Sequence, residues 1–389
     1  MVKANNGCND GWGQGVNASK SSETRRQTLN VLLSIIIVLL AVVIGAVLVF
    51  SSGQNPITAY ATIFSSTFGS TSDFLNTFEL SAPLILVTLG LLLAFRTSFW
   101  NGGGEGQMLL GGLAGIAVTH TLNLGNSFVM ITAGLVCAFL VGGAWAALSG
   151  AMKVWFNVDD IVSSLLLSVV ASYLVSYLVR IPFRSPNSAE SAIISSISIP
   201  NAAVFPTLFG LNTSIWFALT AAVVMYYVLS RTKFGFMTKV IGSNRQTAAA
   251  YFGKSRTNWM FVLVTFLSGG IIGLGGMVNT TFTSNIIAGA SGGAYSAAGF
   301  TSSYGFIGIA IAFLAQLNPI AVIPGSIFFV ALVTGGLGLS VQLQIPASLT
   351  VTISGMVVLV LSLRETIVKR LSRFGQRPSM VEPTIPERG

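Results

Sequence analysis

Few side chains in this sequence could do chemistry, and most of them stand at breaks between apolar runs. Glu105 is the clearest case: it lies in Trp100-Asn101-Gly102-Gly103-Gly104-Glu105-Gly106-Gln107, an acid among glycines between two apolar stretches. A carboxylate near membrane depth is costly and normally faces a cavity, a partner or backbone N–H groups. Glycine backbone lets another helix or a solute approach closely. Two readings follow. Glu105 caps the helix of the next apolar run, where an acid suits the positive helix end, or it contacts a translocation path. The expected partners are backbone N–H groups at the start of that same helix, with Gln107 facing the solute route.

Asp159 and Asp160 open the run DDIVSSLLLS, where an Asp is an ordinary N-cap; a cytoplasmic position near a translocation path is the sharper reading. Neighbouring residues on a helix do not face each other, so the pair is no carboxylate dyad. His120 is the single histidine, with no neighbours in sequence to build a proton relay or metal site, so it reads as interfacial packing. Phe252-Gly253-Lys254-Ser255 ends like a phosphate loop, but position 248 is Ala where that motif needs Gly, and no strand precedes it. Neither a catalytic constellation nor a metal-ligand cluster emerges, and no nucleotide-binding loop of the chain's own.

The elements that must position these residues are membrane helices. Of 389 residues, 52% are hydrophobic and only 8% charged, against roughly 25% charged in a soluble domain. The net charge of +9 does not point to nucleic acid, because 18 of the 20 Lys and Arg fall in the tails or on one expected side of the membrane; only Arg180 and Arg184 fall outside. That distribution sets orientation and attracts anionic lipid. Cys8 in the polar start and Cys137 in an apolar run are not expected to pair. Arg25-Arg26 before an apolar run resembles the start of an export signal, but the run at 29–50 is too long for one and reads as a retained span.

A helix needs about 20 residues to cross the hydrocarbon core. Ten candidates result: 29–50, 80–95, 106–124, 128–150, 158–179, 212–230, 258–278, 303–317, 319–338 and 347–364. The even count puts both termini on the cytoplasmic side, in agreement with Arg364, Lys369, Arg370, Arg373 and Arg377 after the last run. The fold class is an all-α polytopic membrane protein: a disordered tail over 1–28, a transmembrane domain over 29–365 and a second tail over 366–389. Outside, 51–79 holds a short surface helix after Asn55-Pro56, and 180–211, with four prolines, reads as loop rather than strand. The runs at 80–95 and 303–317 are short, and each adjoins a Gly-rich segment, at 100–107 and 285–302. Such paired short segments in corresponding halves point to inverted repeats with a pathway between them. Gly111 with Gly115, and Gly269 with Gly273, have the spacing of close helix packing.

Between two spans lies 231–257, with Arg231, Lys233, Lys239, Arg245, Lys254 and Arg256 and no acid. The charge places it in the cytoplasm. Ser243 or Asn244 can cap a short helix over Arg245–Phe252, and Gly253 can end it in the left-handed conformation. The segment is then either a docking element, with Ala248 and Ala249 small enough for a partner to approach, or a basic loop that only fixes topology.

Several segments together resemble the permease subunits of bacterial ABC importers in the branched-chain amino acid, ribose and nucleoside group. AFRTSFWNGGGEGQMLLGG at 94–112 is similar to the family's aromatic-Asn-x-Gly-x-Glu-Gly-Gln pattern through Asn101, Gly103, Glu105, Gly106 and Gln107, with Gly102 and Gly104 in place of the usual Ile and Ala. FNVDDIVSSLLLSVVASYLVSYLV at 156–179 resembles the nucleoside branch, with Asp159-Asp160 where Asn-Glu is usual and Ser168 where Asn is usual. Gly242-Ser243-Asn244 with Ala248-Ala249 and Gly253 is similar to the loop that docks on the ATPase, and 305–336 resembles the family's late spans. The resemblance implies a type II-like importer fold and places Asn101, Glu105, Gln107, Asp160 and Ser168 along the path. It gives Gly242, Asn244, Arg245, Ala248, Ala249 and Gly253 to ATPase docking. It implies no cofactor in this chain, with ATP-Mg on a partner ATP-binding subunit. The other partners implied are an extracytoplasmic solute-binding protein, membrane lipid and a second, different permease. The solute is a nucleoside; ribose or galactose is the alternative. An ion-coupled secondary transporter would need coupling-ion groups where only Glu105 offers itself, and an intramembrane enzyme would need a nucleophile, base or metal that one His and scattered acids do not supply.

Overall fold

The computed structural model describes residues 43–122, 125–186, 194–283, 287–288, 301 and 303–343. Residues 59–350 form one compact unit; residues 1–58 with 351–389 form another, of which the helical stretch 43–51 (α1) and the first turn of α2 are described. Both expected tails, and the run at 347–364, lie outside the described residues, as does all of 29–50 before residue 43.

The helices in chain order are α2 (Pro56–Phe68), α3 (Thr71–Phe95), α4 (Gly104–Leu122), α5 (Ser127–Phe156), α6 (Asp160–Arg180), α7 (Thr213–Arg231), α8 (Lys233–Ser243), α9 (Arg245–Phe252), α10 (Lys254–Thr283), α11 (Tyr304–Leu314) and α12 (Pro319–Gln342). Among the described residues α3, α5, α6, α7, α10 and α12 are long and apolar enough to cross a bilayer. The run expected at 80–95 is not short. Its helix begins at Thr71, where Ser70 Oγ accepts from the Asp73 N–H at 3.1 Å, so nine residues assigned to an outer segment are helical. Polar Ser72, Asp73 and Asn76 hid this extension, because hydropathy registers only the buried part, in which every residue from Ser81 to Phe95 is buried. The run at 303–317 is shorter than expected: α11 has 11 residues, about 16 Å of rise, too little to cross the core.

α10 is the hub and packs on α3, α4 and α5. Glycines make this possible. A Cβ on Gly273 would collide with the Ala138 carbonyl oxygen of α5; one on Gly111 of α4 would strike Gly273 itself; one on Gly276 would strike the Met108 carbonyl. The Gly111 and Gly269–Gly273 spacings therefore serve packing within the chain, with backbones in direct contact. Side-chain clusters flank this seam. One, of Leu109, Leu110, Leu113 and Ile116 with Ala171, Val175 and Val179, joins α4 to α6.

The segment expected to be loop at 180–211 contains short strands: β1 (Ile194–Ser195) pairs antiparallel with β4 (Ile287–Ala288), and β2 (Thr207–Leu208) with β3 (Leu211–Asn212). Two-residue strands leave no period in the sequence, and the partner of β1 lies in a distant segment. The β2–β3 hairpin is fastened to α3 where the Asn212 N–H donates to Glu79 Oε1 at 2.7 Å, and the Asn212 side chain then caps α7. Apart from β4 and Thr301, the expected Gly-rich segment 285–302 lies outside the described residues.

Candidate functional site

The residues singled out by type and spacing gather where α3 ends and α4 begins. After Phe95 the chain turns through left-handed Ser98 (φ 55°) and folds back into the protein. Asn101 Nδ2 donates to Ser268 Oγ at 3.2 Å, and Ser268 Oγ donates to the Gly90 carbonyl at 2.7 Å. Asn101 thus lies level with a turn of α3 well before its end, and α4 starts inside the molecule. Irregular backbone at such depth persists only when every polar group finds a protein partner.

α6 supplies those partners from one face. The Trp100 N–H donates to Asp160 Oδ2 (2.8 Å), the Gly102 N–H to Ser164 Oγ (3.0 Å) and the Gly106 N–H to Ser168 Oγ (2.9 Å). Asp160, Ser164 and Ser168 are four residues apart, so they stack along a single helix face. Asp160 also pairs with Lys153 Nζ at 2.9 Å, tying the end of α5 to the start of α6. Asp159, not Asp160, is the N-cap, accepting from the Val162 N–H at 3.0 Å.

Asn101 and Gln107 form a reciprocal amide pair: Asn101 Nδ2 donates to Gln107 Oε1 at 3.0 Å and Gln107 Nε2 to Asn101 Oδ1 at 2.9 Å. Both are buried. The expectation that Gln107 faces a solute route does not describe this conformation, because its amide is engaged inside. Gln107→Leu is therefore expected to destabilise the fold. It leaves part of the Asn101 amide unpaired, at a cost of about 1–3 kcal/mol, and should lower the melting temperature in detergent. An unchanged melting temperature would show that the amide pair contributes nothing.

Glu105 accepts from the Gly305 N–H at 3.1 Å, with the Phe306 N–H and the Thr301 side chain also directed at it. Backbone N–H groups are among its partners, as expected, but they belong to α11 and not to the start of its own helix. The reason is steric. Gly104 and Gly305 bring the two backbones so close that a Cβ on Gly305 would overlap the Glu105 backbone nitrogen. The carboxylate is left beside the first turn of α11, where the positive helix end favours it.

The basic segment is two helices, α8 and α9, and not a loop with one. Asn244, not Ser243, caps α9, accepting from the Gln246 and Thr247 N–H groups at 2.9 and 3.1 Å. Gly253 ends it with positive φ (87°), but its ψ of 141° is extended and lies outside the left-handed helical region. α9 is two-faced. Arg245, Ala248, Ala249 and Phe252 face inward or sideways; Gln246, Thr247, Ala250 and Tyr251 are exposed. Ala248 is buried with Ile241, Ala94, Phe99 and Phe261. Its small side chain serves this internal packing, which corrects the expectation that it meets a partner. Arg245 lies 4.8 Å over the Phe261 ring and donates to Asn258 Oδ1 at 3.0 Å. Partial burial lowers its pKa from the usual guanidinium value, yet an arginine stays a cation in a protein. Gly242 abuts the Arg96 carbonyl, where a Cβ would clash, and its own carbonyl accepts from Ser98 Oγ at 2.7 Å. The docking segment is therefore fastened to the α3–α4 connection.

Three contributors escaped the sequence reading. Ser164 was visible in principle, as the middle of the four-residue polar spacing from Asp160 to Ser168. Ser268 and Arg96 gave no local signal, since their partners lie in segments distant in sequence. Among the described residues no group of three or more His, Cys, Asp or Glu side chains is arranged to hold a metal ion.

Comparison with known proteins agrees with this architecture. The family model described as "Branched-chain amino acid transport system / permease component" matches residues 74–362. A glucose ABC transporter permease protein of Haloferax volcanii is 31% identical over 84% of this chain and 86% of its own length. A guanosine ABC transporter permease protein of Bacillus subtilis is 26% identical over 85% and 92%, and a nucleoside ABC transporter permease protein of Lactococcus lactis is 23% identical over 81% and 86%. With most of its described residues inside that match and six helices able to cross a membrane, the chain belongs to the family of permease components of branched-chain amino acid transport systems.

Proposed function

We propose that this chain forms half of the translocation pathway of an ATP-driven importer for nucleosides. The observation that carries the transport reading is the fastening of a capped, outward-exposed helix, set in a basic segment, to the irregular connection where α4 begins. A secondary transporter or an intramembrane enzyme leaves that arrangement without a purpose. In this reading α9 receives a cytoplasmic ATP-binding subunit, which holds ATP-Mg, and an extracytoplasmic binding protein delivers the solute. The six basic residues of 231–257 support a cytoplasmic α8–α9 end, and the chain is read as a bacterial inner-membrane protein. The full chain crosses ten times, α11 supplying only part of one crossing, with inverted repeats and both termini inside, and pairs with a second, different permease. Asn101, Glu105, Gln107, Asp160 and Ser168 form the wall beside the path, their polar atoms engaged with protein partners in this conformation.

Nucleosides are favoured by two relatives whose names specify guanosine and nucleosides; the 31% identical glucose permease supports a simple sugar as the second reading. Expression with its partner subunits in a host lacking nucleoside uptake, assayed with labelled guanosine, uridine, glucose and ribose, decides between them. The expected result is ATP-dependent accumulation of the nucleosides, competed by unlabelled nucleoside and not by sugar. Accumulation of glucose or ribose alone would overturn the nucleoside reading. Uptake without any co-purifying ATP-binding subunit would overturn the ATP-driven one.

A further inference from the structure

The short helix α11 is held at both ends by opposite charges from one stretch of chain. At its start, the Glu105 carboxylate accepts from the Gly305 N–H, with the Phe306 N–H and Thr301 also directed at it. Past its end, Arg96 Nη2 donates to the Leu317 carbonyl at 3.1 Å. This matches the helix dipole, acid at the positive end and base at the negative end. The turn after α11 makes the second contact possible. Left-handed Gln316 and Leu317 (φ 51° and 56°) let the N–H groups of Ala315, Gln316 and Leu317 return to carbonyls of the last helical turn. The Leu317 carbonyl then points away and is taken by Arg96. Phe313 adds an apolar bond, stacked on Phe95 at 4.9 Å and tilted against Trp100 at 5.4 Å.

The same stretch holds the docking helices on its other side. Ala94 and Phe99 pack with Ile241 and Ala248, and Ser98 Oγ is bonded to the Gly242 carbonyl. Within two turns, Ala94, Ser98 and Phe99 face α8 and α9, while Phe95, Arg96 and Trp100 face α11. A displacement of α9 by a bound partner thus meets a packed stretch whose opposite side is bonded to a helix too short by itself to span the membrane.

We propose that Arg96 and Glu105 form a charge-complementary clamp that makes α11 follow the docking helix, with Arg96 the positioning residue that couples ATP hydrolysis to opening of the path. The proposal rests on the reading of α9 as the docking helix.

The test uses the complete importer reconstituted in liposomes with its ATP-binding subunit and binding protein. Arg96→Met removes the donor and the charge while keeping an extended apolar stem. The expected result is an assembled complex whose solute-stimulated hydrolysis stays near wild type while transport falls about tenfold, so that the ATP used per solute rises by the same factor. Arg96→Lys, which restores a cation, is expected to recover most of the transport. Wild-type transport in Arg96→Met overturns the proposal, and so does a parallel fall of hydrolysis and transport that leaves their ratio unchanged. Should Arg96→Met fail to accumulate, Phe313→Leu, which loosens the same end of α11, gives the same readout with the same two overturning results. Failure of the docking reading is seen separately. Gln246→Cys, at an exposed position of α9 in the otherwise wild-type complex, would then give no cross-link to the ATP-binding subunit.

Discussion

Tyr251→Glu is expected to abolish ATP-driven uptake while leaving a folded chain in the membrane. Tyr251 is 80% exposed at the end of α9, with its ring edge-on to Phe252 at 4.9 Å. It therefore bears little on the internal packing, which rests on Ala248, Ile241, Phe99 and Phe261. Exposed aromatic residues are the usual anchors of a protein interface, and losing one costs about 2 kcal/mol or more, roughly a thirtyfold loss of affinity. A carboxylate adds the cost of desolvating a charge in the contact. Pull-down of the ATP-binding subunit and uptake should fail together, with unchanged accumulation of the permease. Wild-type association would remove α9 from the docking surface. Ala248→Glu makes the contrast: it buries a charge within the chain and should lower accumulation of the permease itself.

Gly273→Val is expected to prevent accumulation of the folded protein. At Gly273 the backbone of α10 meets α5 at Ala138 and Gly142 and lies against Gly111 of α4. A valine there inserts three carbons between backbones that have no side chain to swing aside. Overpacking an ordinary core site costs about 1–3 kcal/mol because neighbours can adjust; here the adjustment must separate helices. Gly125, with nothing within 4 Å of an added Cβ, is the control, and Gly125→Ala should accumulate normally. Fluorescence-detected size-exclusion of tagged variants measures both. A monodisperse Gly273→Val protein at wild-type yield would show that the seam is looser than its geometry.

What could be read from the sequence depended on whether the signal was local. The caps were local: Asn244 before α9 and the Asp at the start of α6 are short polar residues next to the helix they serve, and both cap as their type requires, although Asp159 holds the cap and leaves Asp160 for Trp100 and Lys153. The break at Trp100–Gln107 was local too, because a run of glycines around one acid has few other uses. The partners were not local. Glu105 finds its N–H groups 200 residues away, and Arg96 finds a carbonyl 221 residues away. Nothing in the spacing of either residue could name them. The length of α3 was misjudged for a different reason. Its first turns carry Ser72, Asp73, Asn76 and Glu79; Asp73 accepts from the Ser70 cap and Glu79 anchors the hairpin, and all four lower the hydropathy by which a span is recognised.

The glycine seam also limits how this protein can change shape. Helices that meet through side chains can slide by exchanging rotamers, moving in small steps at low cost. α4, α5 and α10 meet backbone to backbone around Gly111, Gly142, Gly269 and Gly273, where there are no rotamers to exchange. Close-packed interiors of this kind shift as units between discrete arrangements. These three helices therefore shift only as one body. Whatever alternation carries a solute across leaves the contacts among them unchanged, and variants that add bulk at the seam should be lost in biogenesis, not in transport kinetics.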